Sequence, residues 1–145
     1  MASPEPSVAA LPDPCDLLTY EVAYAALRGA VGTDPTGNPL TCMWGRHPQP
    51  GALPPNDTRP LILLRVLDPN VVEQTASGAP GVTITPVAGL GDEAFFSKVG
   101  TASSDLFVRQ GTVAFRVTVT DIERPDDEYY KQTEEAVARE ILKRL

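Results

Sequence analysis

The sequence is poor in several features that identify common classes of protein. No apolar run reaches the roughly 18 residues needed to cross a bilayer, so no transmembrane segment is predicted. The 12 Lys and Arg residues are scattered and are outnumbered by 19 Asp and Glu residues, which gives a net charge of −7. Because phosphate contacts need clustered cations, we predict no nucleic-acid partner. The length of 145 residues still suffices for one globular domain with its own core.

Histidine and cysteine, which are common ligands of zinc and common catalytic residues, are nearly absent. His47 is the only histidine, and Cys15 and Cys42 are the only cysteines. No CxxC or HxxxH spacing supports a metal site, and one histidine for two cysteines is a weak basis for a nucleophile. The two cysteines can also be unpaired thiols or form a disulfide, which requires an oxidising compartment. We favour a Cys15–Cys42 disulfide that ties a helix to a strand, and we predict no metal and no cofactor.

Catalytic motifs are also lacking. The segment 89–93 lacks the third glycine of the dinucleotide-binding pattern and the Gly-Lys-Ser/Thr of a P-loop, so a turn explains it better. Asp92 and Glu93 form the only tempting carboxylate pair outside the helices. Adjacent strand residues point to opposite faces, so these two share a site only if the turn bends them together. We therefore predict that the chain is not an enzyme.

Proline is frequent, and its distribution suggests the domain organisation. The 15 prolines cluster at the start and between residues 35 and 60. Because proline fixes φ and removes a backbone donor, we predict a flexible tether over 1–14, a single domain over 15–145 and a loop over 46–59. The start has neither the basic region nor the apolar core of a signal peptide. A secreted protein without its leader and a cytosolic protein would both begin in this way.

Three segments have the features of helices. Thr19 can cap a helix over 20–28, and Asp68-Pro69 is an N-cap followed by proline at the first helical position of a short helix over 70–76. A longer helix is predicted over 125–145, with an apolar stripe that can cover a sheet. The stripe consists of Tyr130, Val137, Ala138, Ile141 and Leu145.

The rest of the pattern predicts an antiparallel sheet. Strands are expected over 40–45, 61–67, 82–85, 94–98, 105–110 and 112–120. Gln110-Gly111 separates the last two as a hairpin turn, with glycine at a position of positive φ. Alternation over 113–119 gives one face of valine and phenylalanine and another face that is polar. The predicted fold class is α+β: a twisted antiparallel sheet with N-terminal and C-terminal helices packed on it, and one disulfide.

Three motifs then occur in a fixed order. They are Cys15-Asp-Leu-Leu-Thr19 before an Ala-rich helix, Cys42-Met-Trp44 on a strand, and Gly89-Leu-Gly-Asp-Glu-Ala94 before the hairpin. In this order they resemble a family of short secreted domains and lipoproteins of unknown function from actinobacteria and some other bacteria. The resemblance implies a signal peptide upstream, often with a lipid-bearing cysteine, a layered fold like that of PsbP-like domains, and no catalytic residues. The Pro-rich loop after Trp44 departs from the pattern.

Together these features predict a non-catalytic extracytoplasmic binding or interaction module of the bacterial cell envelope. Its partner would be an unknown protein or small ligand. The expected contact surface is either the polar sheet face with Arg109 and Arg116 or the loop that carries Trp44 and His47. Trp44 has the alternative role of packing beside the disulfide.

Two other functions stay open at this point. One is a small hydrolase or transferase that uses Asp92, Glu93 or His47. The other is a structural accessory of an envelope complex. A cleft converging on the three named residues would favour the enzyme, whereas a flat sheet face would favour the binding module.

Overall fold

The computed structural model describes residues 13–26, 36–38, 40–45, 61–100, 104–120 and 127–145. These segments contain four helices and one seven-stranded antiparallel sheet, which confirms the predicted fold class. In chain order the elements are α1 (Pro14–Leu17), α2 (Tyr20–Ala26), β1 (Thr36–Asn38), β2 (Thr41–Gly45), β3 (Leu61–Leu67), α3 (Pro69–Ala76), β4 (Val82–Pro86), β5 (Glu93–Val99), β6 (Asp105–Gln110), β7 (Val113–Thr120) and α4 (Asp127–Leu142).

The sheet is built from two meanders that meet in the middle. Its strand order is β1-β2-β3-β7-β6-β5-β4, and every neighbouring pair is antiparallel. After β3 the chain runs through α3 to β4 at the far edge, then returns strand by strand until β7 pairs with β3. The connection through α3 therefore crosses the sheet, and this path places a helix on one of its faces.

Side-chain caps set the starts of the helices. The Asp13 carboxylate accepts a hydrogen bond from the Cys15 backbone N–H at 2.9 Å, at the start of α1. Thr19 Oγ1 accepts from the Val22 N–H at 3.4 Å, and Asp68 accepts from the Asn70 N–H at 2.8 Å. These contacts satisfy helix N–H groups that have no partner within the helix. The two predicted caps, Thr19 and Asp68, are thus confirmed.

One face of the sheet is buried under α1, α2 and α4, and we call it the packed face. Its core includes Phe115, Val117 and Val119 of β7 together with Leu106 and Val108 of β6, all fully buried. The predicted apolar face of the hairpin is confirmed, as is its cover by the C-terminal helix. The members of the predicted stripe that are buried in this core are Tyr130, Val137, Ala138 and Ile141.

Leu145 is an exception to the predicted stripe. It is 40% exposed and lies beyond the end of α4 at Leu142. A residue past the last turn no longer follows the helical period, so it leaves the apolar face.

The opposite face lies under α3, and we call it the α3 face. Val72 of α3 packs there on Phe95, Phe107 and Ala114, and the two phenylalanine rings stack with centroids 5.3 Å apart. The expectation of a polar face is therefore wrong under α3. The helix that crosses the sheet needs an apolar surface to pack on, and these residues provide it.

The polar part of the α3 face lies where β3 and β7 pair, together with the adjoining end of β6. Arg65 is exposed there, and Arg116 and Thr118 are half-buried. Only one side of β3 is fully buried, because Ile62 and Leu64 are in the core whereas Arg65 on the other side is exposed. The predicted loop over 46–59 and residues 1–12 of the predicted tether lie outside the described residues.

Candidate functional site

The two cysteines form the predicted disulfide. The Cys15–Cys42 bridge has Cα atoms 5.1 Å apart and joins α1 to β2. The Cys42 side chain is fully buried in the core of the packed face. The bridge therefore clips the first helix onto the sheet, as the sequence suggested.

Trp44 lies beside this bridge, on the packed face. Its side chain is only 5% exposed, and its indole N–H donates to the Leu18 carbonyl at 2.7 Å. Tyr20 meets the indole edge to face, with ring centroids 5.7 Å apart. Both the ring and its polar atom are thus used within the fold, which is the packing role considered for this residue.

Arg109 belongs to a surface cluster at the start of β5. Its guanidinium lies 3.6 Å from a carboxylate oxygen of Asp92 and 3.6 Å from one of Glu93. Asp92 also accepts a hydrogen bond from the Gly111 backbone N–H at 2.7 Å. The turn does bend the two adjacent carboxylates together, and they converge on a cation and on the β6–β7 hairpin.

The turn needs glycine at position 91 for a steric reason. Gly91 has φ of 62°, and a Cβ atom there would lie 2.7 Å from the Arg109 carbonyl oxygen. The Asp92 N–H donates to the same carbonyl at 2.8 Å. Only glycine combines this backbone conformation with so close an approach. The segment 89–93 is thus a turn that locks onto β6, as expected.

A cleft of about 360 Å³ lies between the C-terminal end of α3 and the sheet, and we call it the α3 cleft. Its polar lining includes Arg116, Asp105 and Ser97, and Phe107 adds an aromatic surface. The remaining lining residues are Gln74, Thr75, Gly78, Ala79, Val82 and Val99. Charged, polar and apolar groups therefore meet in one concave site.

Arg116 stands out within the α3 cleft. Its Nε atom is buried and has no hydrogen-bond partner in the described part of the chain. Its cross-strand neighbour on β3 is another cation, Arg65. Side chains paired in this way lie about 5 Å apart at Cβ, and like charges there repel. Neither guanidinium forms an ion pair within the segments that the structure describes.

Asp105 lines the same cleft, and its carboxyl group interacts electrostatically with Arg116. Burial raises its pKa above the ordinary value, although a hydrogen bond from Thr118 Oγ1 at 3.0 Å and the Arg116 charge act in the opposite direction. The α3 cleft thus holds a permanent cation and a carboxyl group that is partly desolvated.

Sequence reasoning missed Glu134, a carboxyl group at the centre of the molecule. Its side chain is fully buried between α4 and the sheet, and one oxygen accepts from the Val119 N–H at 2.9 Å. The other oxygen has no partner in the described part of the chain. Burial, followed by the charges of Asp105 and Asp127, raises the pKa of Glu134 to about 9. A glutamate one turn before Val137 and Ala138, on the apolar stripe, was the available signal.

The start of α4 has a second polar contact that sequence reasoning did not identify. The Asp127 carboxylate accepts from both the backbone N–H and the hydroxyl of Ser104, at 2.8 and 3.0 Å, and lies 3.8 Å from Lys98 Nζ. Burial by itself raises the pKa of Asp127, but these hydrogen bonds and cations outweigh it and lower the pKa below its usual value. The contacts fasten α4 to the strands beneath it.

A second groove, of about 320 Å³, separates α2 from α4. Alanines 25, 26 and 136 line it, and Glu140 and Arg144 at its rim pair with each other. Glu21 is the other charged residue of its lining. Among the described residues, none of the side chains that line this groove has a buried polar atom without a partner.

The predicted site residues do not form one surface. Trp44 lies on the packed face, whereas Arg109 and Arg116 lie on the α3 face. His47 lies outside the described residues. Of the predicted set, Arg116 is the residue that lines a cleft without a partner among the described residues for its buried nitrogen.

The described segments were compared with the requirements of a metal site and of a membrane-spanning helix. Within them, no group of three or more His, Cys, Asp or Glu side chains is arranged to hold a metal ion. Among the described helices, none is long and apolar enough to cross a membrane.

Comparisons with family models, with curated proteins and with solved structures gave no significant match.

Proposed function

We propose that this protein is a non-catalytic binding module that acts outside the cytoplasm, at the bacterial cell envelope, and that the α3 cleft is its ligand site. The observation that carries this proposal concerns Arg116, which lines this concave site: its Nε is buried and has no partner among the described residues. A buried donor without an acceptor is unfavourable by about 1–3 kcal/mol, so it is rare in a purely structural position.

The other predicted site residues that the structure describes are engaged within the fold, which supports the choice of cleft. Trp44 donates to a backbone carbonyl, and Arg109 is paired with two carboxylates. Asp92 and Glu93, the acids of the hydrolase hypothesis, form those ion pairs. A general acid or base must reach a substrate proton, and side chains engaged in this way are poorly suited to that role.

The location is supported by the disulfide. Such bonds persist in secreted and periplasmic proteins and are rare in the cytosol of most organisms. Membership of the family of short bacterial lipoproteins and secreted domains that the sequence resembles, with a lipid anchor upstream, is part of the same proposal. Fractionation of cells that express the native gene tests it: we expect the protein outside the cytoplasm, and a cytosolic protein with two free thiols would contradict it.

Ligand binding is tested by titrating the isotopically labelled chain with a library of small metabolites and following backbone NMR signals. We expect signals around Thr75, Phe107 and Arg116 to move with at least one compound. Thr75→Trp, which blocks the mouth of the α3 cleft, should abolish those shifts. Val71→Trp is the matched control, because Val71 is an exposed residue of the same helix that does not line the cleft.

Two outcomes would contradict this function. One is a wild-type protein in which no compound moves the cleft signals. The other is turnover in a broad hydrolase panel that is lost in His47→Ala or Asp92→Asn, which would support the hydrolase hypothesis.

A further inference from the structure

We propose that the α3 cleft binds a small organic carboxylate with an apolar body, and that Arg116 holds the carboxylate group. This inference rests on the proposed binding function and adds the chemical class of the ligand.

The cations in and beside the cleft favour an anion: Arg116 lines the cleft, and Arg65 is its cross-strand neighbour outside the lining. Arg116 and Arg65 are permanently charged and lie side by side across β3 and β7. Their mutual repulsion is relieved when an anion lies between or beside them. The chain as a whole has a net charge of −7, so this pair is a local exception to an acidic surface.

The geometry of the guanidinium group favours a planar acceptor. Nε and one terminal nitrogen of an arginine form a fork that matches the two oxygens of a carboxylate. In Arg116 the Nε atom is the buried, unpartnered donor. This Nε is closed to solvent in the structure, so a carboxylate pairs side-on with the fork, and gives Nε an acceptor, once the Arg116 side chain shifts toward the cleft.

The remaining lining of the cleft suits an apolar body attached to the carboxylate. Phe107, Val82 and Val99 provide hydrocarbon surface around the arginine, while Ser97 and Gln74 provide a few polar atoms. The volume of about 360 Å³ lies within the range of about 300–1,000 Å³ that is typical of small-molecule sites.

The same surroundings disfavour a doubly charged phosphate. The cleft lies at the C-terminal end of α3, where Gln74 and Thr75 belong to the last turn of a helix that ends at Ala76. The helix dipole has its negative end there. Asp105 adds a carboxyl group of its own to the lining. One negative charge on the ligand is therefore tolerated better than two.

The test uses the full chain and two pairs of probes that differ in charge but hardly in shape. Benzoate is compared with benzamide, and hexanoate with hexanamide, in NMR titrations, with inorganic phosphate as a separate probe. We expect the affinity of each carboxylate, measured from the shifts of the cleft signals, to be at least tenfold higher than that of its amide. Phosphate should bind more weakly than benzoate, and added salt should weaken the binding of benzoate.

Variants assign the effect to individual groups. Arg116→Gln should weaken benzoate binding by about 10- to 100-fold, since it removes a charged bidentate contact. Arg65→Gln should weaken it by about two- to fivefold because this exposed charge is screened by solvent. Asp105→Asn should tighten it by about two- to fivefold, since it removes a negative charge from the lining. Arg139→Gln, an exposed cation on α4, is the control and should have no effect.

Asp105→Asn keeps the proposal falsifiable even if Arg116→Gln fails to fold, because it predicts an effect of the opposite sign. Weaker benzoate binding in Asp105→Asn would overturn the proposal, as would equal affinity for benzoate and benzamide or tighter binding of phosphate. Neutral compounds that bind in the cleft while carboxylates do not would overturn this inference and leave the proposed function intact. A wild-type cleft that responds to no compound at all would overturn both.

Discussion

The two faces of the sheet differ in how completely helices cover them. On the packed face, three helices cover a continuous apolar core, and the disulfide and Trp44 lie within it. On the α3 face, one short helix covers three apolar residues and leaves a cleft with an arginine and an aspartate beside it. Full burial of apolar side chains favours stability, whereas a half-covered polar surface can bind a ligand with little loss of stability. The packed face therefore contributes most of the stability, and the proposed function places the ligand on the other face.

The largest expected effect comes from truncating a phenylalanine on each face. Phe115→Ala on the packed face should lower the free energy of unfolding by about 3–5 kcal/mol, because it leaves a cavity in a closed core. Phe107→Ala on the α3 face should lower it by a smaller amount, about 2–3 kcal/mol, since the cleft already adjoins that ring. Denaturant unfolding measures both values, and equal losses would contradict the comparison.

Removal of the disulfide, which lies on the packed face, should lower the free energy of unfolding and leave the α3 cleft unchanged. Cys15 and Cys42 are 27 positions apart, and the chain-entropy model gives about 3–4 kcal/mol for a loop of this size. We expect the free energy of unfolding of the wild-type protein to fall by this amount in reducing agent. Any ligand of the α3 cleft should still bind to the reduced protein while it remains folded. Loss of binding at a denaturant concentration that leaves the fold intact would show that the two faces are coupled.

Glu134→Gln should increase stability at neutral pH, by up to about 3 kcal/mol at pH 7. The folded-state pKa of Glu134, about 9, is above its unfolded value, so the contribution of this group is fully present below about pH 4.5 and is lost as the pH rises to 9. Glutamine can still accept from the Val119 N–H and has no proton to lose. The variant should therefore flatten the decline in stability between pH 5 and 9.

The neighbouring residue provides the control for this change. Glu135 lies next to Glu134 on α4 but is partly exposed and pairs with Arg139. Glu135→Gln should change the free energy of unfolding by less than about 1 kcal/mol at any pH in this range. A similar pH response in both variants would exclude burial as the cause.

The smallest expected effect is that of Arg116→Leu on stability. The change removes a buried donor that has no partner in the described part of the chain, and it removes a repulsion with Arg65. It also loses the attraction to Asp105. These contributions have opposite signs, so we expect the free energy of unfolding to change by less than about 1 kcal/mol. Thermal or denaturant unfolding measures it, and a loss of about 2 kcal/mol or more would make Arg116 a structural residue.

Much of the fold could be predicted because its signals are local. The strand Leu61–Leu67, the hairpin at Gly111 and the caps at Thr19 and Asp68 depend on residues within a few positions of one another. Alternation along β7 also identified the side that α4 would cover. These features follow from the backbone periods of strand and helix, which a single sequence displays.

The site could be predicted only in part because it depends on pairings between distant residues. Arg116 was among the predicted binding residues, but its juxtaposition with Arg65 depends on β3 pairing with β7, which lies far along the chain. The apolar patch under α3 depends on where the crossing helix lies, which no local pattern records. Short strands such as β1 carry no periodic signal, so β1 was missed.

The position of the disulfide in the chain has a further consequence for handling the protein. The bridge closes a covalent ring that contains α2, β1 and the start of β2. A single cut of the peptide backbone anywhere between Cys15 and Cys42 leaves both fragments joined through sulfur. A protein nicked within this ring would migrate on a non-reducing gel at its full mass and separate into two pieces only after reduction. Two gel lanes, with and without reductant, therefore distinguish a cleavage between Cys15 and Cys42 from one elsewhere in the chain.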